Sequence, residues 1–136
     1  MLRSLIAIAI GAAAGANLRW WLGKNIVLAE LGKHSLFFSM SVGTLFANLL
    51  GGYLIGIALS LFNLFPSVAP EFKLMVITGF LGALTTFSSF SAEMVALLQG
   101  GRVLCGAMGI LFHVMGSLLM TLLGIGTVAL FKHLWA

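Results

Sequence analysis

GFLGALTTFSSFS, Gly79 to Ser91, lies inside a charge-free apolar stretch bounded by Lys73 and Glu93. Of the seven residues Thr85 to Ser91, five are Ser or Thr and two are Phe. An ordinary membrane helix carries Leu and Val at its centre, because lipid offers a hydroxyl nothing to hydrogen-bond. Gly79 and Gly82 come immediately before the hydroxyls. Small residues followed by hydroxyls at mid-membrane predict a helix that breaks there, its freed backbone groups facing an ion path rather than lipid.

The rest of the chain fits that setting. Of 136 residues, 61% are hydrophobic and only 7% charged, against roughly 25% charged in a soluble domain. The deficit decides the class: an all-α integral membrane protein. A crossing needs about 20 apolar residues, and charges and turn residues divide the chain into four, over residues 2–22, 38–62, 74–98 and 104–130, in a single domain spanning 1–136. Lys24, Glu30, Lys33 and His34 mark the first loop, Pro66 and Pro70 the second, and Gln99-Gly100-Gly101-Arg102 a tight third turn. Arg3 and the run Ala12-Ala13-Ala14-Gly15-Ala16 imitate a signal peptide, but the apolar run continues through Leu18, Trp20, Trp21 and Leu22 to spanning length with an aromatic anchor. Cys105 is the sole cysteine, so no internal disulfide forms. The net charge of +4 is scattered, with no basic stripe for nucleic acid.

Four crossings put both termini on one side. Arg3, Lys73 and Lys132 then lie on the terminal side, and Arg19, Lys24, Lys33 and Arg102 on the other: three against four. So small a bias gives weak orientation, and both orientations are expected to insert. Gly11 with Gly15, Gly52 with Gly56, and Gly43 with Ala47 are small residues four apart, a spacing that lets helix backbones approach. Two oppositely inserted copies would make, from one sequence, the inverted-repeat architecture of transport proteins.

Each polar side chain within a span needs a reason. Asn48, in GTLFANLLGG, offers two donors and an acceptor, which serve equally as glue to a neighbouring helix or as a pore lining. His113, Ser117 and Thr121 recur every four residues and share one face, a candidate wet track. Phe87 and Phe90, three apart, also share a face; packing is the ordinary role of such rings, but their electropositive edges can face a dehydrated anion where a full cation would trap it. Arg19 reads as a headgroup anchor or as an attractor of anions to a vestibule. Glu93 is the one acid expected inside a span, an expensive and often functional placement.

These motifs resemble the Fluc fluoride channels, also called CrcB proteins, small four-span bacterial membrane proteins. The resemblance covers the whole chain: Gly11, Gly15 and Arg19 at the start, GTLFANLLGG, the specific GFLGALTTFSSFS, and the His113/Ser117/Thr121 track. The family usually has Gly where Ala83 stands and often Thr where Ser89 stands. The resemblance implies a dual-topology antiparallel homodimer in the bacterial inner membrane, with its third helix broken near the middle. It further implies two fluoride pores and a central structural Na⁺ held by the backbone carbonyls of Gly82 and Thr85 from each subunit. Phe87, Phe90 and Ser88 would line the pores, Asn48 would donate to fluoride, His113, Ser117 and Thr121 would form the track, and Arg19 and Glu93 would be charges at the pore ends. The implied function is passive: hydrogen fluoride enters as a neutral weak acid, ionises, and the anion leaks out.

A small multidrug-type proton-coupled transporter also has four spans and works as a dimer. It needs a mid-membrane carboxylate, and span one has none. No metal-spaced His/Cys/Glu set, nucleophile with a base, or phosphate loop marks an enzyme.

Overall fold

The computed structural model describes residues 1–28 and 42–135, and these form helices joined by short turns. Helix α1 covers Leu2–Leu28 and α2 Val42–Leu64. Then follow α3 (Pro70–Leu74), a π-helical segment (Met75–Leu81) and α4 (Gly82–Leu84). α5 (Phe87–Gln99) and α6 (Val103–Trp135) complete the chain. Four stretches, Leu2–Asn25, Val42–Leu64, Pro70–Gln99 and Val103–Leu134, are long and apolar enough to cross a membrane. The chain is a multi-pass membrane protein.

Two helices overrun their expected ends. α1 continues past Leu22 to Leu28 because nothing there stops it. Asn25 Nδ2 bonds the Trp21 carbonyl at 2.8 Å, and the Lys24 ammonium sits over the Trp20 ring, so polar side chains are absorbed on the helix surface. α6 extends from Val103 to Trp135 rather than over 104–130, with Lys132 and His133 in its last turn, where the helix dipole favours cations. The third crossing begins with Pro70 in its first turn, where a missing N–H costs nothing, and with Glu71 beside it. The third turn closes on Gly101 (φ 73°), a left-handed position suited to glycine, with Arg102 N–H returning to the Leu97 carbonyl at 2.9 Å. The expected start of span two at 38, and Glu30, Lys33 and His34 of the first loop, lie outside the described residues.

Packing follows the glycines. α2 packs mainly on α6, and α1 on the π-helical segment. A Cβ on Gly11 or Gly15 would run into the carbonyls of Met75 and Phe80, and one on Gly79 would sit 2.6 Å from the Ile8 carbonyl. On the other pair, a Cβ on Gly52 would sit 2.9 Å from the Ser117 carbonyl, and one on Gly56 or Gly124 would run into the carbonyl of Thr121 or Tyr53. In lipid, helix association draws on such close backbone contact because apolar side chains gain nothing by leaving the tails. The buried core is correspondingly small: Leu22, Ala58, Leu81 and Leu84 in one cluster, Phe90, Met94 and Leu97 in another. Leu111, Leu119 and Leu122 of α6 remain exposed, as suits a lipid-facing surface.

Gly56→Val places methyls against the Thr121 backbone and should destabilise the fold by about 1–3 kcal/mol. Gly126, whose Cβ position is open, should accept Ala with a gain of about 0.5–1 kcal/mol from helix propensity. Unfolding in mixed detergent micelles measures both, and equal effects at the two positions would contradict the packing scheme.

Candidate functional site

Between Leu84 and Phe87 the third crossing leaves helical geometry. Thr85 (φ −82°, ψ 157°) and Thr86 (φ −151°, ψ 119°) are extended. Uncompensated backbone groups here would cost several kcal/mol each in lipid, so their partners decide whether the interruption stands. Asn48 of α2 supplies both for Thr86: its Oδ1 accepts the Thr86 N–H at 2.7 Å and its Nδ2 donates to the Thr86 carbonyl at 3.0 Å. The amide of Thr86, which would close a helical turn on the Gly82 carbonyl, is thereby diverted. Likewise Ser89 N–H, the helical partner of the Thr85 carbonyl, goes to Thr86 Oγ1 at 3.1 Å. The Gly82 and Thr85 carbonyls lose their helical donors here, as do those of Ala83 and Leu84 between them.

Thr86 is the hub. Its hydroxyl caps α5, donates to Ser89 Oγ at 3.1 Å and shares a hydrogen bond with Ser88 Oγ at 3.2 Å. Sequence reasoning missed it among seven similar residues, though a Thr directly before a helical Phe-Ser-Ser-Phe run is a recognisable N-cap. Thr85 keeps its own N–H and hydroxyl on the Leu81 carbonyl, at 3.0 and 2.9 Å. Arg19 Nη1 reaches the Thr85 carbonyl at 3.4 Å, so this arginine touches the interruption itself.

The two phenylalanines meet edge-on, with centroids 5.3 Å apart and planes at 60°. They differ in exposure: Phe87 is 76% exposed and Phe90 only 6%. Phe90 also lies against the imidazole of His113, centroid to centroid 4.6 Å. His113 is 4% exposed, and its Nδ1 lies 3.1 Å from Asn48 Nδ2. Asn48 thus spends both of its N–H groups within the chain, one on Thr86 and one on His113.

A groove of about 480 Å³ gathers most of the predicted residues: Asn48, Phe87, Phe90, His113, Ser117 and Thr121 all line it, together with Gly82 and Thr85. The Thr121 hydroxyl returns to the Ser117 carbonyl at 2.9 Å, the usual habit of a helical threonine. Ser88, Arg19 and Glu93 are not among its lining residues. Glu93 accepts a 2.6 Å hydrogen bond from Thr44 on Oε1, while its buried Oε2 has no partner among the described residues. Among the described residues the groove wall therefore carries hydroxyls, an amide, an imidazole and ring edges, and no lysine, arginine or carboxylate. Such a wall can attract a small anion by dipoles without a countercharge strong enough to hold it.

Thr86→Val removes the cap while preserving shape and should cost about 1–2 kcal/mol of stability; Thr86→Ser should stay close to wild type. Parallel unfolding curves test this, and a wild-type curve for the Val variant would remove Thr86 from the centre of the site.

Residues 6–125 match the family described as CrcB-like protein, Camphor Resistance (CrcB). Among similar proteins, the fluoride-specific ion channel FluC of Desulfovibrio desulfuricans is 54% identical over 97% of this chain and 97% of its own length. Proteins of the same name from Tolumonas auensis and Pseudomonas putida are 55% identical (98% of this chain, 99% of theirs) and 52% identical (93% and 94%).

Proposed function

The chain belongs to the CrcB-like family, and on that premise we propose that it is a passive fluoride-selective channel of the bacterial inner membrane. It lowers cytoplasmic fluoride by letting the anion leak out down its electrochemical gradient. It is a channel and not an enzyme. The observation that carries this reading is the groove, whose wall offers neutral polar groups and electropositive ring edges with no lysine, arginine or carboxylate among the described residues. Fluoride is small and strongly hydrated; a pore must replace its water by several donors, yet hold it weakly enough for release. In this reading His113, Ser117 and Thr121 supply polar groups along the groove beside the amide of Asn48, and Phe87 and Phe90 supply ring edges between them. Arg19, on the Thr85 carbonyl, stands beside the groove and outside its wall. The proton-coupled transporter reading falls away: the relatives carry a channel's name, and Glu93 sits on Thr44, off the groove.

The working unit in this reading is an antiparallel pair of oppositely inserted chains. A single chain leaves its groove open along one side; a second copy laid across it would close two paths at once. The near-equal charge count supplies both orientations. Gly82 supports the same geometry, because the nearest atom to its Cβ position is the Ile77 carbonyl at 3.6 Å. Its small size meets no need within the chain and suits close approach by a partner.

At the centre of that pair we place Na⁺, on the Gly82 and Thr85 carbonyls of each chain. The residues fit such an ion: both carbonyls have lost their helical donors to Asn48 and Thr86, and carbonyl oxygen suits a hard cation. The ion would supply fixed positive charge that satisfies these oxygens. Arg19, already within 3.4 Å of the Thr85 carbonyl, orients that group from its own side.

Phe→Ile at 87 or 90 keeps bulk and apolarity but removes the ring edge. Each variant should remain folded and release fluoride from liposomes at a strongly reduced rate. Wild-type efflux from both would return the rings to a packing role, and wild-type protein that releases no fluoride would refute the channel itself.

Orientation gives a separate test. Two Lys added to the Gln99–Arg102 turn should hold that turn in the cytoplasm, and two added near Pro66 should hold the opposite face there. Each variant alone should fail to protect cells against fluoride, whereas co-expression should restore resistance. Full protection by one variant of confirmed single orientation would exclude the antiparallel pair.

A further inference from the structure

One turn of α2 grips both residues of the interruption. Asn48 takes the N–H and the carbonyl of Thr86. Gly51, three residues further along the same face, receives the Thr85 methyl. A Cβ on Gly51 would run into Thr85 Cγ2, whereas Thr85 Cβ lies 3.6 Å from that position, an ordinary contact. The notch in α2 is therefore the size of one methyl group. Thr85 is not free to withdraw that methyl. Its χ1 is stiff because two heavy atoms branch from Cβ, and the other branch, Oγ1, donates to the Leu81 carbonyl at 2.9 Å. Turning χ1 to empty the notch breaks that bond in a medium that offers no replacement. From another side, Arg19 meets the Thr85 carbonyl at 3.4 Å.

We propose that Gly51 is a positioning residue for permeation: its notch seats the Thr85 methyl and thereby aims the peptide between Thr85 and Thr86. This rests on the channel reading above, and neither residue is assigned a contact with the anion. The Thr85 carbonyl and the Thr86 N–H belong to one planar trans peptide and point in opposite directions. Asn48 holds that peptide by its N–H, but one hydrogen bond leaves rotation about its own axis. The seated methyl removes this freedom from the Thr85 side, so the carbonyl stays on Arg19. Glycine at 51 and threonine at 85 are thus one device. Gly51→Ala overfills the notch, and Thr85→Ser empties it. The two changes together move the methyl from one wall to the other, because the new Cβ at 51 then meets only the Cβ at 85, at 3.6 Å.

The test is solid-state NMR of the full chain in phospholipid vesicles, with fluoride efflux measured on the same preparation. Thr85-Thr86 is the only Thr-Thr step in the sequence. Threonine labelled with ¹³C at the carbonyl and ¹⁵N at the amide therefore gives one directly bonded pair, at the interruption. Variants carrying Thr85→Ser take ¹³C-carbonyl serine with ¹⁵N-threonine, which again labels a single step because no Ser-Thr step occurs elsewhere. Gly51→Ala should shift the pair signal and slow efflux about tenfold or more, the scale of one overpacked methyl. Thr85→Ser, which keeps the hydroxyl bond, should slow efflux less. The double variant should match Thr85→Ser in both signal and efflux, and Gly126→Ala, whose Cβ position is open, should change neither. Where Gly51→Ala alone does not fold, recovery of folded, conducting protein by the double variant is the expected result. A double variant no better than Gly51→Ala, or a folded Gly51→Ala with wild-type efflux or an unmoved pair signal, would overturn the proposal while the wild type still released fluoride. Wild-type vesicles that release no fluoride would instead refute the channel reading on which it rests.

Discussion

Two backbone amides decide the shape of this protein. Thr86 N–H bonds Asn48 instead of the Gly82 carbonyl, and Ser89 N–H bonds the Thr86 hydroxyl instead of the Thr85 carbonyl. In water such diversions would be cheap, because solvent would take up the freed oxygens. In a bilayer nothing does, so an interruption persists only where side chains and a wet or ionic surface replace the lost partners. Asn48 completes one half of that exchange from a different helix. The hydroxyl cluster completes the other half locally. What remains is a pair of carbonyls freed from their helix, that of Thr85 taken up by Arg19, and a set of polar groups and ring edges along the groove.

Everything else serves to hold that arrangement in register. α1 lies against the π-helical segment through Gly11, Gly15 and Gly79, so the stretch leading into the interruption is fixed by backbone contact rather than by side-chain bulk. The wider π turns shift the register of the residues that follow, a device common at functional sites. α2 lies equally close to α6 through Gly52, Gly56 and Gly124. That contact sets Asn48 and His113 within 3.1 Å of each other and brings Ser117 and Thr121 to the same groove. Glycine packing and site geometry are thus one constraint: loosening either interface moves a donor away from the path.

Much of this was legible in the residues themselves. Thr85 to Ser91 announced an unusual mid-membrane segment because hydroxyls there need partners, and the small residues four apart announced helix contacts that GxxxG physics makes explicit. The three-residue track on α6 followed from helical period alone. Other features were hidden for physical reasons. Helix ends in α1 and α6 depend on whether Lys24, Asn25 or Lys132 can be absorbed on a helix surface, which composition does not reveal. The role of Thr86 required knowing that Asn48 faces it across two helices. Asn48 stood equally open between helix glue and pore lining, because nothing in GTLFANLLGG shows that both its hydrogens are already engaged.

The central claim is that these dipoles and ring edges conduct fluoride passively. Current across a planar bilayer containing the purified protein tests it most directly, with unequal fluoride on the two sides and chloride making up the difference. The account predicts a reversal potential at the fluoride equilibrium value, unmoved when a proton gradient is imposed. A reversal potential that follows chloride, or that shifts with the proton gradient, would contradict it.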